Sequence, residues 1–100
     1  MNPAKMVKYR KIKVGSGSVE ALQMDLCAKR LIVLRAKRGY LMCGYLNLKT
    51  AAKFKDAAGK IVGVSTIEEA LRSRVSACTP SARRLGIYPG QAVKEALEGG

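Results

Sequence analysis

Along residues 8–14 the side chains alternate, with Arg10, Ile12 and Val14 on one side and Tyr9, Lys11 and Lys13 on the other. That period of two predicts a half-exposed strand. Gly15-Ser16-Gly17-Ser18 follows, a turn composition in which glycine accepts positive φ without a Cβ clash. Residues 20–26 alternate again, Leu22, Met24 and Leu26 lining one face and Ala21, Gln23 and Asp25 the other. Val19, Leu22 and Leu26 also fit a helical spacing, but the glycine turn before them favours a strand. Two further apolar runs, 31–36 and 40–46, flank Lys37-Arg38-Gly39, a tight connection that asks for a left-handed glycine. They predict a central hairpin.

Beyond residue 46 the period changes. Asn47 is an N-cap for a helix with Leu48, Ala51 and Ala52 at helical spacing and Lys49, Lys53 and Lys55 toward solvent. Residues 61–64 read as a short buried strand. Either Ser65 with Glu68 or Thr66 with Glu69 forms a capping box, ahead of a buried stripe of Ile67, Ala70 and Leu71. Residues 75–78 predict another short strand. Thr79-Pro80 then supplies an N-cap with proline at the first helical position, and Gly86 ends that helix. Pro89 is expected to open a final helix facing Val93, Ala96 and Leu97 inward, before residues 99–100 fray. The order is four strands, helix, strand, helix, strand, helix, helix. It predicts an α+β fold in two layers, an N-terminal antiparallel sheet of about four strands followed by alternating helices and short strands. The edges and one face of such a sheet need covering, and the basic early strands are the natural place for another subunit.

Composition bounds this picture. With 100 residues, 48% of them apolar and 5% aromatic, the chain is expected to be one domain, residues 1–100, with a partly mobile end expected at 1–7 and mainly strand at 8–46. A chain of this length hides roughly 65% of its unfolded surface, so its core is thin and subunit contacts enlarge it usefully. The longest aliphatic stretch, residues 31–34, is far too short to span a bilayer, and the N-terminus lacks a secretory block. A cytoplasmic location and no membrane partner are the expectation. The net charge of +12 is segregated: residues 1–55 hold thirteen basic and two acidic side chains, the remainder six and five. Such a field attracts polyanions, nucleic acid among them, and makes their binding salt-dependent.

Cys27, Cys43 and Cys78 are odd in number and form no C-x-x-C pair, and the chain has no histidine. A disulfide framework, a zinc ribbon and the Ser-His, Cys-His and H-E-x-x-H chemistries are thereby excluded, and no metal or cofactor is expected. No motif specifies a reaction. Cys43 is the sharpest catalytic candidate, because Lys37 and Arg38 a few residues earlier would favour its thiolate. Its bland reading is a small hydrophobe pointing inward from a central strand. Ser65 and Thr66 mark an anion-binding candidate at a helix start, opposed by Glu68 and Glu69 in the same turn. Thr79 with Arg83 and Arg84 is the alternative anion site, and Thr79 the second catalytic candidate; solvated arginines on a surface helix are its bland reading. Lys8, Tyr9, Arg10, Lys11 and Lys13, together with Lys37 and Arg38, are the candidates for contacting a nucleic-acid backbone, Tyr9 stacking a base. The same lysines on an edge strand also discourage aggregation.

The stretch Gly39-Tyr40-Leu41-Met42-Cys43-Gly44-Tyr45-Leu46-Asn47 resembles the YunC-like family, a domain of unknown function in bacteria and archaea. Gly63-Val64-Ser65-Thr66-Ile67-Glu68-Glu69 matches that family's helix entry, and Leu71, Val75, Thr79, Ala82, Leu85-Gly86-Ile87 and Pro89-Gly90 follow in order. The resemblance implies an α+β fold whose N-terminal β-region mediates tetramer formation, and implies no activity. Gln91, where relatives tend to carry methionine, and the basic first half depart from the pattern. Three readings follow: a homo-oligomeric module without catalysis, a nucleic-acid-associated protein, and a thiol-dependent or anion-substrate enzyme.

Overall fold

The computed structural model describes residues 7–15, 17–26, 30–43 and 47–99. Its strands are β1 (Val7–Val14), β2 (Gly17–Asp25), β3 (Arg30–Arg35), β4 (Tyr40–Cys43), β5 (Ala58–Ile61) and β6 (Ala77–Cys78), and its helices α1 (Leu48–Lys53), α2 (Ile67–Leu71), α3 (Pro80–Arg84) and α4 (Val93–Gly99). The α+β class and the element order agree with the sequence pattern. All six strands form one sheet in the order β1-β2-β3-β4-β5-β6, antiparallel except for the parallel pair β4–β5. That parallel pair requires a crossover, and α1 provides it.

Because strand side chains alternate, register sorts the sheet into two faces. On one lie Val19, Ala21, Ile32, Leu34, Leu41, Cys43 and Ile61, all buried, packed with Ile67 and Ala70 of α2, Val93, Ala96 and Leu97 of α4, and Val75, Ala82 and Ile87. Here α2 lies against β2, and α4 against β1. Gln23 points the same way from β2, and its side-chain oxygen accepts the Ile67 backbone N–H at 3.2 Å. This buried bond ties the start of α2 to the sheet and satisfies a helix-end donor that would otherwise be orphaned.

Local chemistry explains where elements begin. Asn47 accepts the N–H groups of Lys49 and Thr50 at the start of α1. Thr66, not Ser65, caps α2 by accepting the Glu69 N–H, and the Glu69 carboxylate reaches back to the Ser65 N–H at 2.9 Å. Thr79 caps α3 with Pro80 at its first position, and Gly86 follows at φ 89°.

Five expectations need correction. The segment read as a turn overlaps a strand, since β2 already begins at Gly17, and Gly15 takes a positive φ of 59°. Gly39 is not left-handed; a Cβ there would sit 2.5 Å from the Ala57 carbonyl oxygen, so close approach, not φ, demands glycine. The strand expected at 61–64 is Ala58–Ile61, because the chain leaves the sheet at exposed Val62 and turns at Gly63 with φ 74°. Pro89 opens no helix: Gly90, at φ 90°, donates to the Val75 carbonyl and Gln91 accepts the Val75 N–H, so α4 waits until Val93 and then runs to Gly99. Val7, expected to belong with residues 1–6 rather than with a strand, is the first residue of β1. Residues 1–6, Ser16, Cys27 and residues 44–46 of the fourth run lie outside the described residues.

Candidate functional site

The second face of the sheet carries no part of the main core. Reading the register across the strands, Val7 stands beside Met24 and Met24 beside Leu31; Tyr9, Leu22, Val33 and Met42 form the next row. Leu22, Met24, Leu31, Val33 and Met42 are half-buried, Val7 is 36% and Tyr9 58% exposed. Contiguous apolar surface of this kind, rimmed by polar groups, marks an interaction site. Among the described residues cover is provided only at the β5 end, where α1 packs and Ala51 and Ala58 are buried.

The next row is charged. Lys11 stands opposite Glu20, Glu20 opposite Arg35, and Arg35 opposite Tyr40. The Glu20 carboxylate accepts from Arg35 Nη2 at 2.7 Å and from the Tyr9 hydroxyl at 2.7 Å. The Tyr9 hydrogen bond, then Arg35, hold the Glu20 carboxyl below its ordinary range, and the same bond to Glu20 pushes the Tyr9 phenol up. Tyr40 donates to Asp56 at 3.2 Å; burial first, and Asp56 second, raise its phenol. Lys11, Ser18, Glu20, Arg35, Lys37, Arg38, Tyr40 and Asp56 surround an open basin of about 720 Å³ at this end of the sheet.

The candidates read from the sequence fall in different places. The cations of β1 divide between faces: Arg10 pairs with Glu68 of α2 on the helical side, whereas Lys11 and Lys13 share the open face with Tyr9. Lys8 approaches the same carboxylate as Arg10. Glu68 is held below its ordinary range by its own backbone N–H first and by Arg10 beside it. Lys37 and Arg38 join Lys11 at the basin but lie at the far end of β4 from Cys43. Cys43 is buried on the helical side, and its thiol faces the Val64 carbonyl at 3.6 Å. Thr79 is 1% exposed, and its hydroxyl is fully used: it donates to the Asp56 carbonyl at 2.7 Å and accepts from Ala58 and Ala82 N–H groups. Arg83 and Arg84 stand in the last turn of α3, away from that cap. Ser65 lends its carbonyl to Arg30 and its N–H to Glu69.

Sequence reading passed over Ser18, Glu20, Arg35, Tyr40 and Asp56 as site residues. The signal was present for two of them, since an antiparallel register through the two hairpins sets Glu20 and Arg35 beside Lys11. Among the described residues no three His, Cys, Asp or Glu side chains gather as for a metal ion, and no helix is long and apolar enough to cross a membrane.

Three comparisons bear on identity. An uncharacterised protein of Bacillus subtilis (strain 168), YunC, is 31% identical over 96 residues, covering 92% of this chain and 95% of the relative. The crystal structure of TA1206 from Thermoplasma acidophilum, a protein of unknown function, superposes with a TM-score of 0.88 at 30% identity, over 93% of this chain and 91% of that one. Residues 42–99 match the profile of a domain of unknown function, DUF1805. The chain belongs to the DUF1805 family, whose YunC-like character its central and C-terminal motifs already announced.

Proposed function

We propose that this protein is a self-associating α+β module whose open sheet face is covered by a second copy of the chain, with a tetramer as the expected final order. The carrying observation is the contiguous surface of Tyr9, Leu22, Met24, Leu31, Val33 and Met42 on β1–β4. It has the anatomy of a subunit interface, an apolar centre with charge confined to its border. The bordering row runs Lys11, Glu20, Arg35, and Glu20 and Arg35 already pair within the chain, so the border does not have to be desolvated when the apolar centre is covered. Beside it, β1 is an eight-residue strand at the edge of the sheet, its outer side paired with no other described strand and able to extend the contact. The family resemblance, which implies tetramers through the N-terminal β-region, supports the same reading. Light scattering on the eluting protein tests it: the mass is a multiple of the 10.8 kDa chain. Val33→Asp, which places charge at the centre of that face, elutes as a monomer with an unchanged circular dichroism spectrum. A wild-type monomer at micromolar concentration refutes the assembly.

A second reading, association with nucleic acid, rests on the thirteen basic side chains against two acidic ones in residues 1–55. Binding to generic duplex and single strands weakens steeply with salt under this reading. No binding at low salt removes it.

A further inference from the structure

At the polar end of the open face, two acidic groups are already engaged and two lysines are not. Glu20 accepts from Arg35 and Tyr9, and Asp56 from Tyr40. Lys11 lies near enough to Glu20 to lower its carboxyl further, yet neither Lys11 nor Lys37 closes an ion pair among the described residues. Both line the basin of about 720 Å³, and Lys37 also borders a neighbouring hollow of about 590 Å³ beside the β1–β2 turn. The positions are fixed by backbone. Lys11 and Arg35 are two strands apart, about 10 Å between Cα atoms, within the combined reach of their side chains. Lys37 stands on the β3–β4 turn, which is pressed onto residue 57: Tyr40 N–H bonds the Ala57 carbonyl at 3.0 Å, and Gly39 leaves no room for a Cβ.

We infer that this basin binds a phosphorylated small molecule, Lys11 and Lys37 holding the phosphate and the Ser18 hydroxyl donating to it. Phosphate suits the site better than a single carboxylate, because two ammonium groups match its near-double charge and three acceptor oxygens. Glu20 and Asp56 keep unused lone pairs that accept from hydroxyls on the remainder of the ligand. The volume fits a sugar phosphate or a mononucleotide. The site stands apart from the apolar centre of the face, so its occupancy and the assembly are separately testable.

Calorimetric titration at low salt with ribose phosphate and inorganic phosphate tests the assignment, with oligothymidylate as a second probe of the same phosphate chemistry. The expected result is saturable ribose phosphate binding that weakens at least about tenfold in Lys11→Ala/Lys37→Ala. In Lys49→Ala/Lys53→Ala, which removes equal charge from α1, it changes less than about twofold. An unchanged light-scattering mass of the first double variant shows that fold and assembly are intact. Absent saturation, or an equal loss in both variants, overturns the proposal, leaving only a diffuse positive field. Oligothymidylate binding that ribose phosphate neither matches nor displaces overturns the small-molecule assignment in favour of a nucleic-acid backbone.

Discussion

The two faces of the sheet are built from the same strands and nearly the same kinds of side chain, yet only one is closed within the chain. Leu34 is 0% exposed beneath the helices, whereas its sequence neighbour Val33 is half-buried on the other side. Helix placement explains the difference. α2, α3 and α4 contribute Ile67, Ala82 and Val93 to the core on one face, whereas α1 packs at the β5 end of the other. The lesson is that period-two alternation identifies the faces of a strand, while which face is covered depends on where the helices land.

Substitutions on adjacent residues break this comparison most strongly. Leu34→Ala opens a cavity in the closed face and costs about 2–5 kcal/mol in urea unfolding. Val33→Ala, measured on protein dilute enough to be monomeric, costs less than about 1 kcal/mol, because little new surface is created. Equal losses would mean that both faces are closed in the same way. Thr79→Val comes next: it removes the cap of α3 and the acceptor of the Ala58 N–H, leaving buried donors unpaired. A loss of about 1–3 kcal/mol is expected in the same measurement. Gly39→Ala and Gly17→Ala sharpen the contrast at the two hairpin ends. The first forces a Cβ against the Ala57 carbonyl and lowers stability by about 1–3 kcal/mol, while the second meets nothing within 4 Å and stays within about 1 kcal/mol of wild type.

The smallest effect concerns pH. Glu20 titrates below its ordinary 4.5, so its share of stability is full above that value and is lost as pH falls through the lowered one. Glu20→Gln therefore flattens the acid side of the stability profile. Tyr9 titrates above 10.0, so its share is full below that value and fades as pH rises through the raised one. Tyr9→Phe flattens the alkaline side.

Much of this architecture was readable in advance because its signals are local. The alternation in β1 to β3, the Asn47, Thr66 and Thr79 caps and the inward Val93, Ala96 and Leu97 each depend on a few neighbouring residues. What escaped depends on distant partners. β5 begins Ala-Gly, a poor strand composition, because Gly59 must admit Leu41, whose Cδ2 lies 2.4 Å from where a Cβ would stand. The late start of α4 reflects backbone bonds from Gly90 and Gln91 to Val75, some fifteen residues away. The basin escaped for the same reason: Lys11, Glu20 and Arg35 meet only through strand register, and Lys37 reaches them from a turn. Cys43 looked close to Lys37 and Arg38 in sequence, but roughly 10 Å of extended strand separates them.

Hydroxyl-radical footprinting of Met24 and Met42 across a dilution series tests the covered face most directly. Both thioethers lie on it, and Tyr88, 49% exposed elsewhere, serves as the reference. Protection of both methionines at high concentration, lost on dilution while Tyr88 stays reactive throughout, is the predicted result. Methionine reactivity that is constant over the series, in protein that scatters as a single chain, would contradict it.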